Sequence, residues 1–561
     1  MLALMAQPSA AQFDTGMRLQ EATRDLLKLF RPSVSGAYMA GQQAIKDLRT
    51  DEAARYFNDA AQADWDNAIL VERAFVALAA DGQIAKAANT ARRMLELDPT
   101  NQLAELVVAS EALKERRFSA AVRRLDNVSE DSFSGITAGL LRAWALVGDG
   151  RAGEAEALMT RLGALGLEDF LVFHRALMNE AAGNADEALA LAQRAYDVEP
   201  YVARVAEVYA RMLANSGDFD AARDVLDAFE AQGLSHAVIR TVREAVDAGR
   251  RPGVFTTRVQ VGAAEMFHGI GVALSRDGSM DLALVFLQLG VYLDPSSDVI
   301  ALALGQLLDT TGQHEMANAV YDAIPARSPL KPTAVVRIAQ NLDSMGDRPE
   351  ALRRLGNIVA STPDDLDAVS VLGDLLRYDE QYLEAADAYT DAIAITGGES
   401  PADWRFYYVR GIAYERAGEW PKAEADFKRA LELNPDQPQV LNYLGYSWID
   451  MDMHLDEALE MIETAVEAQP MDGYIIDSLG WAFYKLGRLD EAVETLERAV
   501  MLLPSDPEIN DHLGDAYWKA GRRLEARFQW NIARSVDTTG NVVERAQAKL
   551  ADGLTPENET E

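Results

Sequence analysis

The chain lacks cysteine, is sparse in proline and has no long apolar run, and each absence removes a class of function. Without cysteine in its 561 residues there is no disulfide, no thiolate nucleophile and no acylation site of the lipoprotein kind. No apolar stretch approaches the roughly 20 residues needed to span a bilayer. Positive charge is also short. Lys and Arg number 53 against 89 Asp and Glu, a net charge of −36, which repels nucleic acid and anionic lipid surfaces. The acidity reads as solvation of outer helical faces. The basic cluster Arg92, Arg93, Lys114, Arg116, Arg117, Arg123 and Arg124 has no interleaved aromatics and reads the same way.

Chemistry-bearing constellations are missing too. The six histidines, His174, His236, His268, His314, His454 and His512, lie far apart, and none has the spacing of a zinc site. Gly269-Ile-Gly271 lacks the third glycine and the preceding strand of a dinucleotide loop. Asp450-Met-Asp452 lacks the later glycine and glutamate of a calcium loop. No carboxylate pair stands out as a buried acid and base. The residues therefore predict no metal, no cofactor and no enzyme.

What is present is a period. A length of 561 residues exceeds a single core, and a small residue recurs at Gly41, Ala109, Ala143, Ala176 and Ala210, with Phe75 as the exception in size. It resumes at Gly271, Gly305, Ala339, Gly373, Gly411, Gly445, Gly480 and Gly514. The spacings are 34, 34, 34, 33 and 34, then 61, then 34, 34, 34, 38, 34, 35 and 34, giving fourteen units. Within a unit, Gly411, Tyr414, Gly418, Ala423, Phe427, Ala430 and Pro435 set a pattern that later units echo. Small residues let two helices approach, and aromatics fill between them. Glycines such as Gly418 end the first helix in the left-handed conformation. Prolines at 99, 200, 295, 363, 435, 470 and 504 close the second.

This pattern resembles the tetratricopeptide-repeat (TPR) family, which implies an all-α fold, an alpha-alpha superhelix or solenoid that binds other polypeptides. Residues 1–12 resemble the back half of a secretory signal, with Ser9 and Ala11 before the cleavage point. The positively charged start is absent and the apolar core is short, so a frayed end is the alternative. Residues 13–33 are expected to form a capping helix, 34–236 a first arm of six repeats, and 237–263 a break at which Val254 to Val261 reads as extended chain. Residues 264–540 are expected to form a second arm of eight repeats, 541–550 a capping helix and 551–561 a disordered tail.

The TPR resemblance also implies which residues face the groove: those three before and one, four and five after the marker. They are Tyr408, Ile412, Glu415 and Arg416, then Asn442, Tyr446, Ile449 and Asp450, then Asp477, Trp481, Tyr484 and Lys485, then Asp511, Asp515, Trp518 and Lys519, with Tyr474 at the rim. Tyr408, Asn442, Tyr446, Tyr474, Asp477, Trp481, Tyr484, Lys485, Asp511, Trp518 and Lys519 form the candidate peptide site, and six of eight tryptophans fall in this C-terminal part.

The stretches Leu441-Asn-Tyr-Leu-Gly-Tyr-Ser447, Asp477-Ser-Leu-Gly-Trp-Ala-Phe-Tyr484 and His512-Leu-Gly-Asp-Ala-Tyr-Trp518 resemble proteobacterial envelope TPR proteins. Some of these are lipoprotein adaptors of carboxyl-terminal processing proteases. That resemblance implies a periplasmic or envelope-associated scaffold with a protein or peptide partner, such a protease among the candidates, and room for self-association. A cytoplasmic assembly scaffold and a non-catalytic regulatory subunit are the alternatives.

Overall fold

The computed structural model describes residues 33–555 and 558, except 48, 127, 130, 131, 165–167, 235, 539 and 541. The expected signal and N-terminal capping helix lie outside these residues. Among the described residues there are thirty α-helices, and every regular element is helical. Two compact units share the chain, one ending at Met345 and the other beginning at Gly346.

The helices pair as the period demands. In each repeat the marker residue faces a side chain about sixteen positions later on the second helix. A Cβ added at Gly411 would stand 2.6 Å from Phe427, at Gly373 2.7 Å from Tyr389, and at Gly305 2.2 Å from Tyr321. Where the marker is larger, the residue sixteen on is smaller: Ala109 has Leu125, Ala143 has Met159, and Phe75 has Ala91, all buried. The apparent exception at Phe75 thus exchanges the sizes of the two positions, although Gly271 with Leu287 and Ala176 with Ala192 show that the summed volume varies between repeats.

Turns follow from the same spacing. Gly418 ends its helix at φ +77°, and Arg116 and Glu380 take the left-handed conformation at the corresponding place in their repeats, at φ 60° and 61°. All seven second helices that precede a proline stop two residues before it, as Ile84–Leu97 does before Pro99 and Leu489–Leu502 before Pro504.

The first unit departs from a simple spiral at the break. After the helix Ala237–Asp247, residues 248–258 carry no regular element. The extended reading ends early, because Val259 to Val261 already belong to the helix Val259–Arg276. That helix and its partner Met280–Leu293 pack against the first helices of earlier repeats, Ala68–Ala80, Gln102–Lys114, Phe133–Gly148 and Glu168–Ala182.

The docking of this hairpin is close and polar at its edges. An added Cβ at Gly262 would stand 2.0 Å from Trp144, and Phe286 lies 6.2 Å from Phe133 between ring centroids. Side chains cap the helix-terminal carbonyls that the register leaves free. Gln260 Nε2 donates to Leu113 O at 3.1 Å, Gln288 Nε2 to Ala80 O at 3.2 Å, and Lys114 Nζ to Leu293 O at 3.2 Å. Arg204 clasps Glu265 through Nε and Nη2 at 3.1 and 2.7 Å while its Nη1 reaches Glu207 at 2.7 Å. Burial alone would raise the Glu265 carboxyl, but Arg204 and His268 hold it well below the usual carboxylate range. The inner face of the second to fifth repeats is therefore filled by the chain's own helices.

Candidate functional site

In the second unit the first helices Trp404–Arg416, Pro438–Asp450, Gly473–Lys485 and Pro507–Lys519 stand side by side and are followed by Val543–Asp552. The last of these keeps the register of a first helix, since Ala548 follows Gly514 by the usual 34 residues. It extends two residues beyond the expected capping helix, to Asp552.

A ladder of charge crosses these helices. Lys549, with no exposed surface, places Nζ 2.7 Å from both Asp511 Oδ2 and Asp515 Oδ2. Arg545 Nε donates to the same Asp511 oxygen at 2.7 Å. One repeat earlier, the Asp477 carboxylate sits 2.9 Å from His512 Nδ1. Asp477 and Asp511, each three residues before a marker, thus receive a cation or imidazole from the following repeat. Buried carboxylates need such partners.

The ladder stops at Asn442. Its Oδ1 is buried with no hydrogen-bond partner, and beside it opens a groove of about 420 Å³. Asn442, Tyr446, Asp450, Tyr474 and Asp477 line it with Glu415, Arg416, Tyr443, Met451, Ser478, Glu508, His512 and Arg545. The Asp450 Oδ1 is likewise buried without a partner. Burial raises the Tyr446 phenol pKa, and the carboxylates of Asp450, Asp477 and Glu508 raise it further, so the hydroxyl stays protonated in a negative field. The two cations of the groove are engaged. Arg416 donates to the Tyr382 hydroxyl at 3.3 Å, and Arg545 is held by Glu508 and Asp511.

The groove gathers four of the eleven candidate residues, Asn442, Tyr446, Tyr474 and Asp477. The other seven sit elsewhere. Trp481 is fully buried, stacked between His512 and Tyr484 at centroid distances of 4.2 and 4.5 Å. Tyr484 is itself 3% exposed, beneath Lys519, whose Nζ lies 4.5 Å from its ring centre. Asp511 is consumed by Arg545 and Lys549. Trp518 is covered by Gly553, where an added Cβ would stand 2.3 Å away. Lys485 Nζ reaches Asp450 O at 3.4 Å, and Tyr408 packs edge-on to Tyr443 with centroids 6.0 Å apart. Packing against neighbouring repeats and the final helix buries Trp481, Tyr484 and Asp511, leaves Tyr408, Lys485 and Trp518 half-buried, and leaves Lys519 exposed.

Tyr443, Ser478 and His512 line the groove without having been expected there. All three stand two residues before a marker, one step round the helix from the predicted stripe, so a broader stripe would have included them.

Tetratricopeptide-repeat family models match residues 203–228, 336–400, 404–437 and 480–521. The protein carries TPR repeats in an all-helical fold. The TPR repeat-containing protein PA4667 of Pseudomonas aeruginosa is 28% identical over 169 residues, 30% of this chain and 27% of that protein. Human protein O-mannosyl-transferase TMTC1 is 26% identical over 142 residues, 25% of this chain and 16% of that protein. The matched stretches thus span about a quarter or less of these relatives. Among solved structures, the APC/C hetero-tetramer Cut9–Hcn1 aligns with a TM-score of 0.38 at 14% identity, covering 92% of this chain and 96% of that one. Yeast Tom70 aligns with a TM-score of 0.35 at 13% identity, covering 93% and 95%.

Proposed function

We propose that this protein is a non-catalytic scaffold that holds a segment of another polypeptide in the groove bounded by Asn442, Tyr446, Asp450 and Tyr474. The supporting observation is the interrupted ladder: at Asn442 and Asp450 polar atoms are buried without partners beside an open groove, an arrangement that a bound backbone or side chain satisfies. A location in the bacterial envelope, with a carboxyl-terminal processing protease as partner, extends this reading on the resemblance of the C-terminal stretches and the residues before 13. Recovery of the full-length protein from the cytosolic fraction alone overturns that extension.

The groove itself is tested by photo-crosslinking. The full chain is produced in cells with p-benzoylphenylalanine at position 474, or at position 467 on an outer helix face. Covalent adducts to another polypeptide from position 474 alone support the reading. Equal adducts from both positions, or none from 474, exclude the groove as the contact.

A further inference from the structure

The groove has two unlike walls, and together they specify what fits. Its floor is acidic. Glu415, Asp450, Asp477 and Glu508 line it, and its arginines are already paired within the chain. Asp450 alone among these carboxylates has a buried oxygen without a partner. A buried carboxylate oxygen in that state draws a cation, because charge-assisted contacts of low exposure are the strong ones.

Its rim is apolar. Met451 and Tyr474 border the groove, and Tyr474 continues into a second shallow recess with Met471 and Leu503. Met471 is 74% exposed, Tyr474 59% and Met451 40%. Singly exposed apolar residues are ordinary, but contiguous ones beside a groove mark a contact surface. Unbranched methionines suit a face that must adapt to its partner's side chains.

Resting on the function proposed above, we infer that the occupant is a basic amphipathic segment of a partner polypeptide. Its apolar side chains lie on Met451, Met471 and Tyr474, and a lysine or arginine reaches Asp450 over the Tyr446 ring. The same combination rejects acidic segments, which meet the Asp450 carboxylate, and basic segments without an apolar face, which leave the methionines in water. Cationic side chains carry long methylene stems, so one residue can satisfy both the aromatic ring and the carboxylate behind it.

The test is fluorescence anisotropy on the full chain with three labelled synthetic peptides. One is an amphipathic Leu/Lys helix, one is the same peptide with Glu for Lys, and one is a Ser/Lys peptide of equal positive charge. The expected result is saturable binding of the Leu/Lys peptide, with the other two at least about tenfold weaker. Asp450→Asn weakens the Leu/Lys complex about tenfold, and Met471→Ser/Tyr474→Ser weakens it similarly, each factor being of the size set by one charge-assisted or apolar contact. Glu463→Gln/Glu467→Gln removes two charges from the outer face and leaves the affinity unchanged, which separates a groove contact from attraction to the protein's overall charge.

Equal binding of the Lys and Glu peptides overturns the inference, as does equal weakening by the groove and outer-face substitutions. Absence of binding while position 474 still crosslinks a polypeptide overturns the ligand chemistry and leaves the binding groove standing. Absence of both removes the groove reading as well. The asparagine and serine substitutions keep or reduce side-chain volume at partly exposed sites, and unchanged helicity by circular dichroism shows that each variant folds.

Discussion

The Trp481 indole lies flat against the His512 imidazole, their centroids 4.2 Å apart and their planes within 20°. An aromatic side chain on a groove-lining helix thus serves the joint between two repeats. Tyr484 stacks on its other face at 4.5 Å, and none of the indole is exposed.

Trp481→Ala therefore acts on stability before it acts on binding. Truncation of a fully buried tryptophan costs about 3–5 kcal/mol. Tyr474→Ser, at an exposed rim position, changes stability by no more than about 0.5 kcal/mol. Urea denaturation of the full chain followed by tryptophan fluorescence reads both. A Trp481→Ala variant as stable as the parent contradicts the packing described here.

The same pair brings a dependence on pH. Burial alone lowers the His512 pKa, but the carboxylate of Asp477, with Glu508 and Asp511 further away, raises it above the ordinary value. A group whose folded pKa exceeds its unfolded one contributes stability that is fully present below the unfolded value, about 6.5 for histidine. That contribution is lost as pH rises through the folded value. Denaturation midpoints of the parent should fall on raising the pH from about 6 to about 8, more steeply than those of His512→Gln. Equal slopes exclude the imidazole as the source.

Volume sharing between marker and partner predicts a compensating pair. Gly411→Ala places a methyl group where Phe427 now sits, at 2.6 Å, and costs about 1–3 kcal/mol through overpacking. Phe427→Leu alone leaves a cavity. Together they recreate the Ala109 and Leu125 combination found in the first unit, so the double variant should lose at least about 1 kcal/mol less than the sum of the single losses. Additive losses refute shared volume.

Much of this architecture was legible in the sequence because it is local. The marker glycines, the left-handed turn at Gly418 and the prolines that close second helices all act within one 34-residue unit, and the helices follow them. The groove was legible in part. Asn442, Tyr446, Tyr474 and Asp477 face it because helical spacing puts them there, but the same spacing also selected Trp481, Asp511 and Trp518. What separates the two sets is the content of the next repeat: His512 against Trp481, Lys549 against Asp511, Gly553 against Trp518. A pattern read within one repeat does not carry that information.

The hairpin in the first unit lay further from reach, although one signal was available. The helices Gln102–Lys114 and Met280–Leu293 are apolar around most of their circumference, with Leu106, Val107, Val108 and Leu113 buried in one and Val285, Phe286, Leu287 and Leu289 in the other. A helix lining an open groove keeps a polar side. A helix without one announces that something covers it.

That covering has a consequence for the protein's birth on the ribosome. Gln260 reaches back 147 residues to Leu113, and Gln288 reaches back 208 residues to Ala80. At about 5–20 residues per second, the apolar inner face begun at Ala80 waits roughly 10–40 s before the segment that seals it has been synthesised. During that interval the nascent first repeats present a groove ready to accept any apolar helix within reach.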